Sequence, residues 1–191
     1  MFLLSTILMI CLFLYYTHTL SNMNVVKSNI DNEYYRVRDA EDKVAAADTL
    51  AQINHKIKNL FTHLQKEFPN DKKVKRLVAK YKPRKLYENM EKSDYSAFSV
   101  NKGEEVHVCV RKNNTGKIIT NLNNIMYVML HELAHIMTVE IGHIDAFWDN
   151  YEFLIENAIK CGEYSFEDYD KKYTEYCGIQ LLGVEEAHKL V

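Results

Sequence analysis

Glycine and proline are scarce in this chain, six and two among 191 residues, while tyrosine and phenylalanine number 13 and eight. That balance excludes a collagen-like, low-complexity or disordered chain and, since no segment repeats, a solenoid. Neither sign of charge dominates. The 24 basic and 26 acidic side chains leave a formal net charge of −2, so there is no global attraction to nucleic acid or anionic lipid. Cysteines are few and badly spaced for a framework: Cys11 falls in an apolar run, and Cys109, Cys161 and Cys177 are odd in number without a C-x-x-C pair. Reduced, partly buried thiols are therefore expected. With 47% apolar residues the chain has material for one ordinary globular domain and an appendage.

Charge is missing altogether from Phe2 to Tyr16 within MFLLSTILMICLFLYYTHTL. A helix rising about 1.5 Å per residue spans roughly 22 Å over this run, and roughly 28 Å with Thr17 to Leu20, enough to reach across a bilayer core. No basic segment precedes the run and no small-x-small site follows it, so an uncleaved membrane anchor is expected rather than a signal peptide. Lys27, Arg36 and Arg38 come after it and no Lys or Arg before it, which predicts a single-pass protein with a cytosolic C-terminal domain. The expected organisation is an anchor over 1–20, a polar linker over 21–39 and a folded domain over 40–191.

Within that domain, Leu50, Ile53, Ile57, Leu60, Phe61, Leu64 and Phe68 recur every three or four residues and predict an amphipathic helix ended by Pro69 and Asn70. His55 and His63 are expected to be solvated on it. The run KKVKRLVAKYKPRK, residues 72–85, holds eight basic residues and no acid. It reads first as a solvated helix face and second as a contact for phosphates or lipid headgroups, with Tyr81 available for stacking. In EVHVCVRK, valines 106, 108 and 110 alternate with Glu105, His107 and Cys109, as in a strand with one buried face, and Gly103 and Asn113–Gly116 supply turns.

The segment NLNNIMYVMLHELAHIMTVEIG predicts a helix capped by asparagine and stopped at Gly142. From Ile125 to Met137 its only polar side chains are Tyr127, His131, Glu132 and His135, so it is apolar all round and buried. A carboxylate and two imidazoles in such a place need compensation, because an unpaired buried charge costs several kcal/mol (about 3–5 when a partner is lost). A divalent ion supplies it. His131 and His135 lie one turn apart on one face and can share an ion, while Glu132 is turned about 100° and stands beside it, placed to take a proton from an attacking water. The third ligand is expected to be His143, which Gly142 can swing back towards the helix. The alternative, Glu156, falls opposite the stripe formed by Phe147, Trp148, Tyr151, Leu154, Ile155 and Ala158, with Lys160 as its i+4 partner.

HELAH followed by GHIDAFW resembles the WLM and SprT-like zinc peptidases, and the run from residue 40 to about 180 looks like the small WLM-related proteins encoded by large DNA viruses. The resemblance implies that His131, His135 and His143 bind one Zn2+ and that Glu132 is the catalytic base, with Asp145 and Trp148 matching the family's H-D and F-W elements as supporting residues. The expected fold is α+β and zincin-like: helix-rich, with a small sheet over the metal-bearing helix, after the N-terminal transmembrane helix. The expected function is a membrane-anchored zinc endopeptidase acting on protein or peptide substrates, with the free edge of the strand at Glu105 to Arg111 pairing with the substrate backbone. His107, Tyr164 and Tyr176 are candidates to stabilise the oxyanion. Two alternatives are carried forward: an inactive zinc-binding interaction module, and a protease for DNA–protein crosslinks using the basic run at 72–85.

Overall fold

The computed structural model of the chain describes residues 5–7, 9, 10, 12, 22–91, 93 and 95–189. The expected amphipathic helix is α1 (Lys43–Glu67), and its stripe from Ala46 through Leu50, Ile53, Ile57 and Leu60 to Leu64 is fully buried. Pro69 lies just past its last turn, which Phe68 closes by donating its N–H to the Leu64 carbonyl. The chain restarts at α2 (Lys72–Lys80), where the Asp71 carboxylate accepts from the N–H groups of Lys73 and Val74 at 2.7 and 3.0 Å. Val74 and Leu77 face inward. Lys72, Lys73 and Lys75 face solvent, as expected for most of the basic run, whereas Arg76 Nε donates to the Ile136 carbonyl at 3.1 Å and pins α2 to the core.

The expectation of a linker over 21–39 does not hold for residues 22–39. They contain a hairpin of β1 (Met23–Lys27) and β2 (Tyr34–Arg38) that buries Tyr35 and Val37, while the intervening polar side chains point outward. That alternation reads as polar because only two large apolar side chains in the second strand carry it. The folded unit thus includes residues from Met23 onward, ahead of the expected start at 40. A three-stranded sheet follows, formed by β3 (Leu86–Glu88), β4 (Ala97–Val100) and β5 (Glu105–Val108) in the order β3-β5-β4, with β5 parallel to β3 and antiparallel to β4.

The expected alternation of β5 holds, with Val106 and Val108 inward. Its expected free edge does not. β5 is the central strand because β3 pairs along one side of it and β4 along the other, which leaves β3 and β4 as the edges. Glu88, wholly buried on β3, accepts from the N–H of Arg38 at 2.7 Å and from Arg111 Nε at 2.6 Å, and Arg111 also pairs with Asp42. Several charge-assisted bonds are what a carboxylate needs to remain in such a place.

Helix α3 (Leu122–Met137) packs beneath β4 and β5 and against α4 (Asp145–Lys160), and twelve of its 16 residues are buried, which is why its apolar side chains run all round it. The C-terminal stretch folds back over them through β6 (Glu175–Tyr176), β7 (Ile179–Gln180) and α5 (Val184–Lys189), burying Tyr169, Tyr176 and Leu181. It also brings Cys177 to Cys109, and the two form a disulfide across 68 residues, contrary to the expectation of reduced thiols. Pairing over that distance depends on tertiary contacts such as the Tyr176 hydroxyl donating to the Cys109 carbonyl at 2.5 Å, which no local spacing announces. Closing a loop of this length restricts the unfolded chain enough to stabilise a fold by about 4 kcal/mol.

The expectation of a single-pass membrane protein with a cytosolic domain is corrected. Among the described residues no helix is long and apolar enough to cross a membrane, and α1, the longest at 25 residues, carries lysines along its solvent face. Most of the apolar run over 2–20, on which the anchor expectation rested, lies outside the described residues.

Candidate metal centre

Helix α3 starts at Asn121, whose side chain accepts from the N–H of Asn123 at 3.0 Å, and carries His131 and His135 on one face with ring centroids 4.8 Å apart. It stops at Met137, five residues short of Gly142. Thr138 leaves the helix with extended backbone, its hydroxyl donating to the Ala134 carbonyl and accepting from Asn150 Nδ2 of α4, both at 2.8 Å. The loop over 138–144 then returns along the helix. Gly142, at φ +96° with open space where a Cβ would lie, makes a reversal that a side-chain-bearing residue would resist, and His143 follows it to face α3.

The His143 ring lies 5.0 Å from that of His131 and 4.8 Å from that of His135, and its Nε2 is 3.1 Å from His131 Nε2. One ligand atom from each of the three histidines falls within 4.8 Å of the others, and among the described residues no further His, Cys, Asp or Glu joins the group. Phe147, fully buried, packs against all three rings at 4.8, 4.3 and 4.7 Å. The loop itself is gripped at two carbonyls: Lys102 Nζ donates to Glu140 at 2.5 Å and Trp148 Nε1 to His143 at 2.9 Å.

Burial, helped by the neighbouring rings, pushes His131 down to about 3. Burial first, then the charges of His143 and Lys102, take His135 to about 4, and burial lowers His143 as well. All three are neutral near pH 7 and offer lone pairs, the form in which imidazole binds a metal. Two neutral rings 3.1 Å apart can share one proton, but a divalent ion satisfies the lone pairs of all three, and three histidines with an open position suit zinc. Glu132 is 5% exposed. Burial pushes it up to about 7 against hydrogen bonds from the hydroxyl and backbone N–H of Ser99, on the edge strand β4.

These shifts decide how the metal-free protein answers to pH. As pH falls below 6.5 the unfolded chain takes up protons on His131 and His135, which the folded chain refuses until about 3 and about 4. Glu132 acts in the opposite sense between 4.5 and about 7, where the folded chain keeps a proton that the unfolded chain has lost. Two groups outweigh one. The thermal midpoint of metal-free protein is therefore expected to fall from pH 6.5 to 4.5, and to fall more steeply in Glu132→Gln. A midpoint that rises over that interval would contradict neutral, buried histidines.

The remaining predicted residues are scattered. Asp145, at the first position of α4, has a side chain 97% exposed and lies 3.7 Å from His188, away from the three histidines of the cluster. Trp148 is buried and stands 5.7 Å from His143. Glu156 faces outward and pairs with Lys160 at 3.4 Å, as expected. His107 lies on the outer face of the sheet, stacked on Phe98 at 4.5 Å; Tyr176 is committed to Cys109, and Tyr164 stacks on Tyr127. None of these three oxyanion candidates has a ring contact with the histidines. His55 is exposed, but His63 is not simply solvated: its Nε2 is 3.1 Å from Asn157 Oδ1 of α4. Ser99 and Lys102 are the two site neighbours that periodicity does not reveal.

The WLM domain matches residues 29–185. The chain belongs to the WLM family. The WLM match begins inside the β1–β2 hairpin, which agrees with the hairpin being part of the fold. An uncharacterized protein of Acanthamoeba polyphaga mimivirus is 35% identical over 167 residues, covering 85% of this chain and 84% of that protein. An uncharacterized protein of Invertebrate iridescent virus 3 is 34% identical over 87 residues, 45% of this chain and 52% of that one. Both relatives come from large DNA viruses, in line with the resemblance carried by the HELAH and GHIDAFW segments. The crystal structure of Wss1 from Saccharomyces cerevisiae superposes with a TM-score of 0.51 at 21% identity, covering 66% of this chain and 88% of that one, a likeness of fold.

Proposed function

We propose that this WLM chain is a zinc-dependent endopeptidase in which His131, His135 and His143 hold one Zn2+ and Glu132 is the general base. The observation that carries this reading is the convergence of three neutral imidazoles beside a buried carboxylate, with no fourth protein donor among the described residues. A structural zinc site would be closed by a fourth ligand, so the interaction-module alternative has less support. Zinc, when bound, supplies a Lewis acid that polarises the scissile carbonyl and makes water nucleophilic near neutral pH.

Glu132 accepts the proton of the attacking water and returns it to the leaving amine. An affinity near 7 suits both transfers, and the Ser99 hydrogen bonds hold the carboxylate in place between them. The edge strand β4, rather than the segment at Glu105 to Arg111, offers the substrate a free backbone edge near the base, apart from the Ser99 N–H that Glu132 already takes. Backbone pairing gives affinity with little demand on side chains, so the substrates are unfolded or flexible protein segments of varied sequence. Proteins joined to DNA are a narrower substrate class, favoured by one feature: Arg76 anchors α2 on the C-terminal end of α3, which leaves Lys72, Lys73 and Lys75 exposed along the neighbouring helix.

Purified protein loaded with one zinc per chain is expected to cleave an unfolded model protein at many sites, to stop when a chelator removes the metal and to resume when zinc is restored. Full zinc occupancy without any cleavage of flexible chains would remove the peptidase reading.

A further inference from the structure

We propose that the C-terminal helix α5 positions the third metal ligand, acting through His188 and Trp148; the inference rests on the three-histidine metal site proposed above. Two of the ligands are fixed by the geometry of α3, being one helical turn apart. His143 has no such support, since it arrives on a loop after a left-handed glycine. Its backbone is instead held from α4, where Trp148 Nε1 donates to the His143 carbonyl at 2.9 Å. The orientation of the Trp148 indole therefore sets where the His143 ring can stand.

That indole is held in turn by α5. His188 stacks on it with centroids 4.9 Å apart and planes within 25°, and His188 Nε2 also lies 3.7 Å from Asp145 Oδ1 on the same first turn of α4. The path of the chain into α5 is fixed from the metal-bearing helix itself. The Tyr127 hydroxyl of α3 donates to the Leu182 carbonyl at 2.7 Å, and the Gly183 N–H donates to Asp170 Oδ1 at 2.8 Å. A Cβ at Gly183 would meet Asp170 Oδ2 at 2.3 Å, so a side chain there would push the Asp170 carboxylate off this bond. The contacts close a circuit that leaves α3 at Tyr127, passes through α5 and Trp148, and returns to the cluster at His143.

No residue of α5 is fully buried, and its contact with the core is limited to the half-buried Val184 and Ala187, so His188, on its exposed side, acts locally on the ligand loop. Partners that orient metal ligands change metal affinity by about 10- to 100-fold when removed. His188→Ala in the full chain is expected to weaken zinc binding about tenfold in a chelator competition and to alter the visible spectrum of the cobalt-substituted protein. The thermal midpoint of the metal-free protein should stay unchanged. His188→Phe keeps a flat ring against Trp148 and should restore both affinity and spectrum.

Failure of the parent chain to bind zinc would remove the metal site itself. Tight zinc binding by the parent with equal affinity in His188→Ala would overturn the positioning role alone. So would a loss that His188→Phe does not rescue, or a lowered metal-free midpoint that accounts for it.

Discussion

Glu132→Gln should keep its zinc and lose peptide hydrolysis by roughly 100- to 10,000-fold, the usual worth of a positioned general base. Glutamine has the shape of the parent side chain and its carbonyl oxygen can still accept a hydrogen bond from Ser99, so the surrounding packing is preserved. What it lacks is the ability to take up a proton. The loss should appear in kcat, because the side chain acts on the reacting water rather than in substrate binding. Metal analysis alongside the kinetics separates this effect from a damaged site. Undiminished turnover in zinc-loaded Glu132→Gln would mean that another group is the base.

His135→Ala is expected to abolish zinc binding. The substitution leaves His131 and His143, two donors where a stable site needs at least three. Zinc present at 100 times its dissociation constant stabilises the folded parent by about 2.7 kcal/mol, so added zinc should raise the thermal midpoint of the parent and leave that of His135→Ala unmoved. One zinc per chain in His135→Ala would defeat the assignment of the site.

Both results concern residues that are conspicuous in the sequence, for a physical reason: polar side chains in a buried apolar helix need a partner, and one turn of helix places two of them on a single ion. The long stripe of α1 is equally plain because 25 residues sample the helical period many times. Short elements are harder to read. AFSV in β4 offers only two residues to each face, and the inward pair, Ala97 and Ser99, is not conspicuously apolar, so the strand that holds Glu132 leaves no alternation to detect. Helix α3 continues in apolar character through Val139 and Ile141, yet these side chains are 66% and 89% exposed, because Thr138 and Asn150 end the helix by tertiary hydrogen bonding. The apolar run at the N-terminus suggested a membrane location, but hydropathy alone does not establish one, and the described helices do not supply a span.

The disulfide between Cys109 and Cys177 has a topological consequence for a protein read as a peptidase. The covalent ring it closes encloses α3, the 138–144 loop and α4, and with them all three histidines and Glu132. Val139, Ile141 and Ile144 are exposed on that loop beside the cluster, so under the proposed peptidase reading the loop is a site at which a second copy is expected to cut. A cut there severs the backbone without parting the two pieces, so a nicked molecule migrates as a single species until its disulfide is reduced.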